Sequence, residues 1–172
     1  LAFRGLHPVG TVSLMTSEHF CPLPTSKYFD IQPVLKTRNA AEIIRLAVLP
    51  EMRNTSASIG LIILVFLLAR ATGVEELIID VFADDEKTIK LYKKFGFVEV
   101  GSYNSPSAVT VMVLQSKSTL EKDRSQLRHF VRPLFSRLRT LFDFGPYTQA
   151  VHDEMDRILS VDKEEQEEIE VV

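Results

Sequence analysis

"AAEIIRLAVLPEMRNTSASIGLIILVFLLA", residues 40–69, holds most of what decides the fold. It opens with an apolar run rich in Ile, Leu and Val and closed by Pro50, the pattern of a strand covered on both faces. "EMRNTSAS", residues 51–58, then supplies a turn and several residues that cap helix N-termini. "IGLIILVFLLA", residues 59–69, falls well short of the roughly 20 residues of a membrane span. It predicts a helix buried on most sides that stops at Gly73. The strand itself carries two charges, Glu42 and Arg45. Residues three apart on a regular strand point to opposite faces, so these two share a cleft only if a bulge intervenes. Two readings stay open: a strand end where Glu42 reaches solvent and Arg45 pairs with a nearby acid, or a strand that lines a site.

The same reading extends in both directions. "LAFRGLHPVGTVSLMT", residues 1–16, is the end of one strand, a turn at residues 5–8 and a second strand. So abrupt an opening carries the expectation that preceding sequence is missing. Residues 17–33, with three prolines and no sustained period, predict a long loop with one helical turn near residues 31–35. "ELIIDVF", residues 76–82, is a second buried strand. "DDEKTIKLYKKFG", residues 84–96, is an amphipathic helix with acids in its first turn, lysines in its last, and Ile89, Leu91, Tyr92 and Phe95 available to pack. "FVEVGSY" and "AVTVMVLQ" alternate as an antiparallel pair. This order predicts an α/β (α+β) layer protein with a mixed, mostly antiparallel central sheet flanked by helices.

From Ser116 the pattern changes. Leu127, Phe130, Val131, Leu134, Leu138, Leu141 and Phe142 recur at helical spacing, with Pro133 at a kink or junction and Gly145-Pro146 opening a last helix. The expected division is therefore a core over residues 1–115, a helical extension over 116–160, and an acidic, disordered tail over 161–172. With 172 residues, 45% hydrophobic and 25% charged, the chain can bury a real core. A net charge of −3 speaks against a generic nucleic-acid binder. The single cysteine, Cys21, excludes an internal disulfide framework, and four scattered histidines offer no metal-ligand spacing. No metal and no nucleic-acid partner is expected, and the default setting is cytoplasmic.

The strand, the polar turn and the helix start together suggest an anion site. A helix N-terminus presents backbone N–H groups and a positive dipole end. Arg53, Asn54, Thr55, Ser56 and Ser58 crowd that point, where plain capping is the competing reading for each hydroxyl.

At this level of detail the chain resembles the GNAT-type N-acyltransferases. The run from strand through "PEMRNTSAS", apolar helix and "ELIIDVF" to "KLYKKFGF" looks like their core, and "LYKKFGF", residues 91–97, is its most specific piece. The acetyl-CoA signature of that family aligns Arg53 with its basic position, but serines Ser56 and Ser58 occupy both small-residue positions. "EIIRLAV", residues 42–48, is similar to the branch that holds acyl-homoserine-lactone synthases and N-acyl amino acid synthases, which carries Glu, two residues, then Arg on this strand. Ser13 stands where the lactone synthases have arginine, and their acidic, arginine and aromatic N-terminal motif is absent, which weighs against lactone synthesis.

The resemblance implies transfer of a fatty acyl group from an acyl carrier protein thioester, or acyl-CoA, to the amine of an amino acid or similar small amine. No tightly bound cofactor is implied; the acyl-phosphopantetheine of the donor is a substrate. Glu42 becomes the candidate general base. Arg45 would orient Glu42 or bind the acceptor's carboxylate. Val48 would border the pantetheine arm and offer a backbone N–H to the oxyanion. Arg53, Asn54, Ser56 and Ser58 would hold the donor's phosphate, and Tyr92 would serve as acid for the leaving thiol. Leu61, Val65 and Phe66 could border the acyl chain.

The C-terminal arginines Arg124, Arg128, Arg132 and Arg139 fall at spacings of four, four and seven, along one helical stripe. They form a solvated face, a dock for an acidic carrier protein, a contact with anionic lipid, or a partner for the acidic tail. Two alternatives to the fatty N-acyltransferase stand beside it: an acetyl-CoA-dependent N-acetyltransferase, and a non-catalytic adaptor for a carrier protein or lipid surface.

Overall fold

The computed structural model describes residues 1–17, 22–53, 55–115, 132 and 145–160. Strands β1 (Ala2–Arg4), β2 (His7–Thr16), β3 (Ala40–Val48), β4 (Glu76–Phe82), β5 (Val98–Asn104) and β6 (Ala108–Gln115) form one sheet. Their order is β1-β2-β3-β4-β6-β5, with β3 and β4 parallel and every other neighbouring pair antiparallel. Helices α1 (Ser56–Ala71), α2 (Glu86–Lys94) and α3 (Thr148–Ser160) complete the described elements. The mixed sheet and the two strand-to-helix steps agree with the sequence reading.

Helix α1 is apolar on nearly every side because it is covered on two. Ile62, Val65, Phe66 and Ala69 pack on the sheet with Ala41, Ile43, Leu77, Ile79, Met112 and Leu114. Ile63, Leu64 and Leu67 pack against Val151, Met155 and Ile158 of α3. The buried carboxylate of Glu154 on α3 ties the two helices together through Arg70, and it also accepts from Arg157. Thr55 caps α1: its Oγ1 accepts from the Ala57 N–H at 3.2 Å and donates to the Met52 carbonyl at 2.6 Å. Gly73 closes the helix at φ +75°, donating its N–H to the Arg70 carbonyl. No described helix is long and apolar enough to cross a membrane.

The opposite face of the sheet is covered by irregular chain. Residues 22–37 cross it with two short 3-10 turns, Pro24–Lys27 and Gln32–Val34, and bury Leu23 and Ile31 against Ala40, Ile78, Val111 and Val113. Such a segment satisfies only some of its own backbone donors, and two buried glutamates supply acceptors for others. Glu42 accepts from the Thr25 N–H at 3.0 Å and from the Thr25 hydroxyl at 2.7 Å. Glu76 accepts from the N–H groups of Lys36 at 2.8 Å and Thr37 at 3.1 Å. Phe29 completes the attachment by lying flush on Gly101, where an added Cβ would come within 2.3 Å of its ring. The expected long loop is thus a packed lid on the sheet; its scattered Leu and Ile follow no period, so no period revealed it.

Of the helical extension expected over residues 116–160, the structure describes Arg132, which is exposed, the 3-10 turn Gly145–Tyr147, and α3. The rest of that segment and the tail at 161–172 lie outside the described residues, as does Cys21.

Candidate active site

β3 and β4 pair over three residues only, Ala40 with Glu76, Ala41 with Leu77 and Glu42 with Ile78. Beyond that point each strand keeps its other neighbour. β3 stays with β2 to Gly10 opposite Val48, and β4 stays with β6 to Phe82 opposite Val109. The two halves of the sheet therefore part, leaving a cleft of about 800 Å³ between residues 43–48 of β3 and residues 79–82 of β4. That size suits a small-molecule site.

β3 carries a bulge, but at Arg45 itself rather than between Glu42 and Arg45. Thr11 faces Ala47 and Ser13 faces Ile44, so Arg45 and Leu46 both oppose the single residue between, Val12. Arg45 takes φ +55°, the one non-glycine residue with positive φ among those described. That conformation costs an L-residue roughly 1–2 kcal/mol, and strain held at a cleft is a common mark of a working site. The Arg45 side chain is exposed and lines the cleft.

Glu42 behaves differently. As the last β3 residue paired with β4, it is 1% exposed, with Thr25 bonded to each carboxylate oxygen. It is not among the residues lining the cleft, and Arg45 makes no bond to it: Thr25 takes the orienting part expected of that arginine. Burial raises its carboxyl above the usual range, the Thr25 bonds oppose that rise, and the charge of Asp80 adds to it.

The remaining predicted residues divide. Val48 lines the cleft, and Gly10 lets α1 approach it: a Cβ on Gly10 would meet Val48 Cγ1 at 2.8 Å and Leu61 Cδ1 at 2.9 Å. Arg53 is exposed at the same end. Ser58 also lines the cleft, while its hydroxyl donates to the Thr55 carbonyl at 3.1 Å. Asn54 and the Ser56 side chain lie outside the described residues, as do Arg124 and Arg128. Tyr92 lines the wall from α2, 4% exposed and edge-on to Phe97. Burial, helped by Asp85, pushes its phenol up to about 12, so it stays protonated at neutral pH. Of the apolar helix, Ile62 reaches the cleft, whereas Leu61, Val65 and Phe66 belong to the core.

Of the cleft residues that escaped the sequence reading, two are bonded to one another. Asp80 on β4 and Tyr103 on β5 both line it, and the Tyr103 hydroxyl donates to Asp80 Oδ2 at 2.7 Å. Burial, then this bond and the charge of Asp80, hold the Tyr103 phenol well above its usual range. Its ring stacks on Tyr28 at 5.3 Å and 13°. The signal was available: an aspartate inside "ELIIDVF" is as anomalous as a glutamate inside "AAEIIRLAV". Among the described residues, no three His, Cys, Asp or Glu side chains group so as to hold a metal ion.

A family model described as "N-acyl amino acid synthase FeeM" matches residues 1–115. By structure the chain is similar to FeeM, an N-acyl amino acid synthase from uncultured soil microbes, with 20% identity and a TM-score of 0.58 over 72% of this chain and 67% of that one. It is also similar to an N-acetyltransferase from Staphylococcus aureus Mu50, with 19% identity and a TM-score of 0.49 over 66% of this chain and 64% of that one. A GNAT-family acetyltransferase from Streptococcus pneumoniae gives 18% identity and a TM-score of 0.49 over 66% and 62%. The sequence matches no curated protein.

Proposed function

This chain belongs to the FeeM family of N-acyl amino acid synthases, acyltransferases of GNAT-like fold, and from that premise we propose its reaction. A fatty acyl group passes from the thioester of an acyl carrier protein, or of CoA, to the amine of an amino acid or similar small amine. The observation that carries this reading is the edge of β3 beyond Glu42, which has no strand partner on its β4 side and borders the cleft along residues 43–48.

An unpaired strand edge is a template for an extended ligand with amides of its own, and the pantetheine arm is such a ligand. It lies along β3 toward Val48, with its phosphate beside Arg53 and the N-terminus of α1, where the helix dipole favours an anion. The N–H of Val48, or of a neighbour on the same edge, stabilises the tetrahedral oxyanion. Arg45, exposed in the cleft on its bulge, takes the acceptor's carboxylate through its paired donors. Tyr92 returns a proton to the departing thiolate, a role open to a phenol that stays protonated. An acidic carrier protein would be met by the basic sequence Arg124, Arg128 and Arg132, of which Arg132 is exposed.

The test is intact-mass analysis of the small molecules formed when the chain is incubated with long-chain acyl carrier protein, the matching acyl-CoA, acetyl-CoA and a mixed amino-acid pool. An N-acyl amino acid that requires the carrier protein supports the reading in full, and one made equally from acyl-CoA changes the donor. Acetylated products alone would point to an acetyl-CoA-dependent N-acetyltransferase. No product, with carrier-protein binding retained, would leave a non-catalytic adaptor.

A further inference from the structure

Glu42, Glu76 and Asp80 share one face of the sheet, since Glu42 pairs with Ile78 and Glu76, Ile78 and Asp80 alternate along β4. The first two are buried and engaged by the segment that crosses them, Glu42 by Thr25 and Glu76 by Lys36 and Thr37. Asp80 lies beyond that segment's grip. It stands one step past the last β3–β4 pair, about 6–7 Å further along the strand than Ile78, where the strands have parted and the side chain is exposed to the cleft. One Tyr103 hydroxyl occupies its Oδ2. An ionised carboxylate has about four acceptor positions, so it retains capacity for a substrate.

We propose that Asp80 is a catalytic residue of this cleft, binding the acceptor's ammonium group and taking from it the proton that must leave before nitrogen attacks. The inference rests on the acyl-transfer reading above. The acceptor's ammonium gives one proton to Asp80, and the freed lone pair forms the C–N bond to the thioester carbonyl carbon. Collapse of the tetrahedral intermediate breaks the C–S bond. The second proton lost by nitrogen ends on the departing thiolate, and Asp80 releases its own to solvent. Tyr103 is a positioning residue: donating to Oδ2 and held by its stack on Tyr28, it fixes the carboxylate's orientation. A base must reach the proton directly or through one water, and Glu42, 1% exposed with both oxygens engaged, lacks that access.

The experiment compares steady-state kinetics of the wild type, Asp80→Asn, Tyr103→Phe and Asp84→Asn with the donor and amino acid that the wild type uses. Asp84 is exposed and outside the cleft lining, so its variant is the control. Asp80→Asn should lower kcat/KM for the acceptor by roughly 10²–10⁴-fold while leaving the donor's KM unchanged. The deficit should shrink as pH rises from about 7 to about 9, where solvent supplies more free amine. A purely structural lesion would lower the rate equally at every pH. Tyr103→Phe keeps the ring stack and should lower kcat by a smaller factor, again with the donor's KM unchanged; it carries the test if Asp80→Asn does not fold. An Asp80→Asn variant as active as Asp84→Asn, or a pH-independent loss, overturns the inference while the acyl-transfer reading stands. Absence of product from the wild type overturns that reading, and the inference with it.

Discussion

Replacing Glu42 separates anchoring from catalysis. Its carboxylate receives the N–H and the hydroxyl of Thr25, a residue 1% exposed, so both donors lack access to water. Glu42→Ala strands two buried donors at about 1–3 kcal/mol each, roughly 2–6 kcal/mol before any cavity is counted. With a urea m-value of about 1–3 kcal/mol/M, that lowers the midpoint by roughly 0.7 M or more. Glu42→Gln is far milder. Its amide oxygen can accept the Thr25 N–H, its amide nitrogen can donate to the Thr25 hydroxyl oxygen, and the cost of a buried charge disappears, so the net change should stay within about 1 kcal/mol.

The pH dependence has a definite sign. Burial raises the Glu42 carboxyl above 4.5, so the native state holds this proton to higher pH than the unfolded chain does. The group's contribution to stability therefore falls as pH rises through its native pKa, and the loss is complete above it. Glu42→Gln lacks that loss and should gain on the wild type between pH about 4, below the ordinary carboxyl value, and about 8. Urea titrations at both pH values, with turnover measured alongside, are the assay. Three results would refute the reasoning: a loss above about 3 kcal/mol in Glu42→Gln, an offset identical at both pH values, or abolished turnover in a normally folded Glu42→Gln. The last would make Glu42 the base.

Arg45→Gly should relieve the φ +55° conformation and leave thermal stability unchanged or raised by about 1 kcal/mol, since glycine's own chain entropy offsets part of the gain. If Arg45 holds the acceptor's carboxylate, the same variant should raise the acceptor's KM roughly 10–100-fold, from a charge-assisted bond of about 1.5–3 kcal/mol; unchanged KM removes Arg45 from the acceptor site. Gly101→Ala places a Cβ within 2.3 Å of the Phe29 ring and should cost about 1–3 kcal/mol as that ring is displaced. Phe29 adjoins Tyr28, so the variant should also loosen the stack on Tyr103, visible as faster amide exchange across residues 25–30. Protection equal to that of the wild type would show that the lid tolerates the added methyl.

How legible the molecule was from its residues depended on whether a feature is local. α1 could be read because a helix apolar on all sides has to be buried on more than one, and because Gly73 and the capping residues mark its ends. β4 and the amphipathic α2 follow from hydrophobic period and end charges within a few residues. The lid over residues 22–37 was not legible, because its burial rests on isolated side chains meeting a distant sheet face.

The candidate site shows the same boundary more sharply. Sequence alone determined that charged residues interrupt one strand otherwise fit for a core, and that a polar turn leads from it into a helix. It could not rank the carboxylates. Glu42 and Asp80 are similar anomalies in similar strands, and their difference arises from one tertiary event, the parting of β3 and β4 immediately after Glu42 pairs with Ile78. Before that point a carboxylate is enclosed and is satisfied by the protein's own donors; beyond it the next one on the same face meets the cleft. Accessibility is set by where neighbouring chain ends, which depends on contacts between residues far apart in sequence.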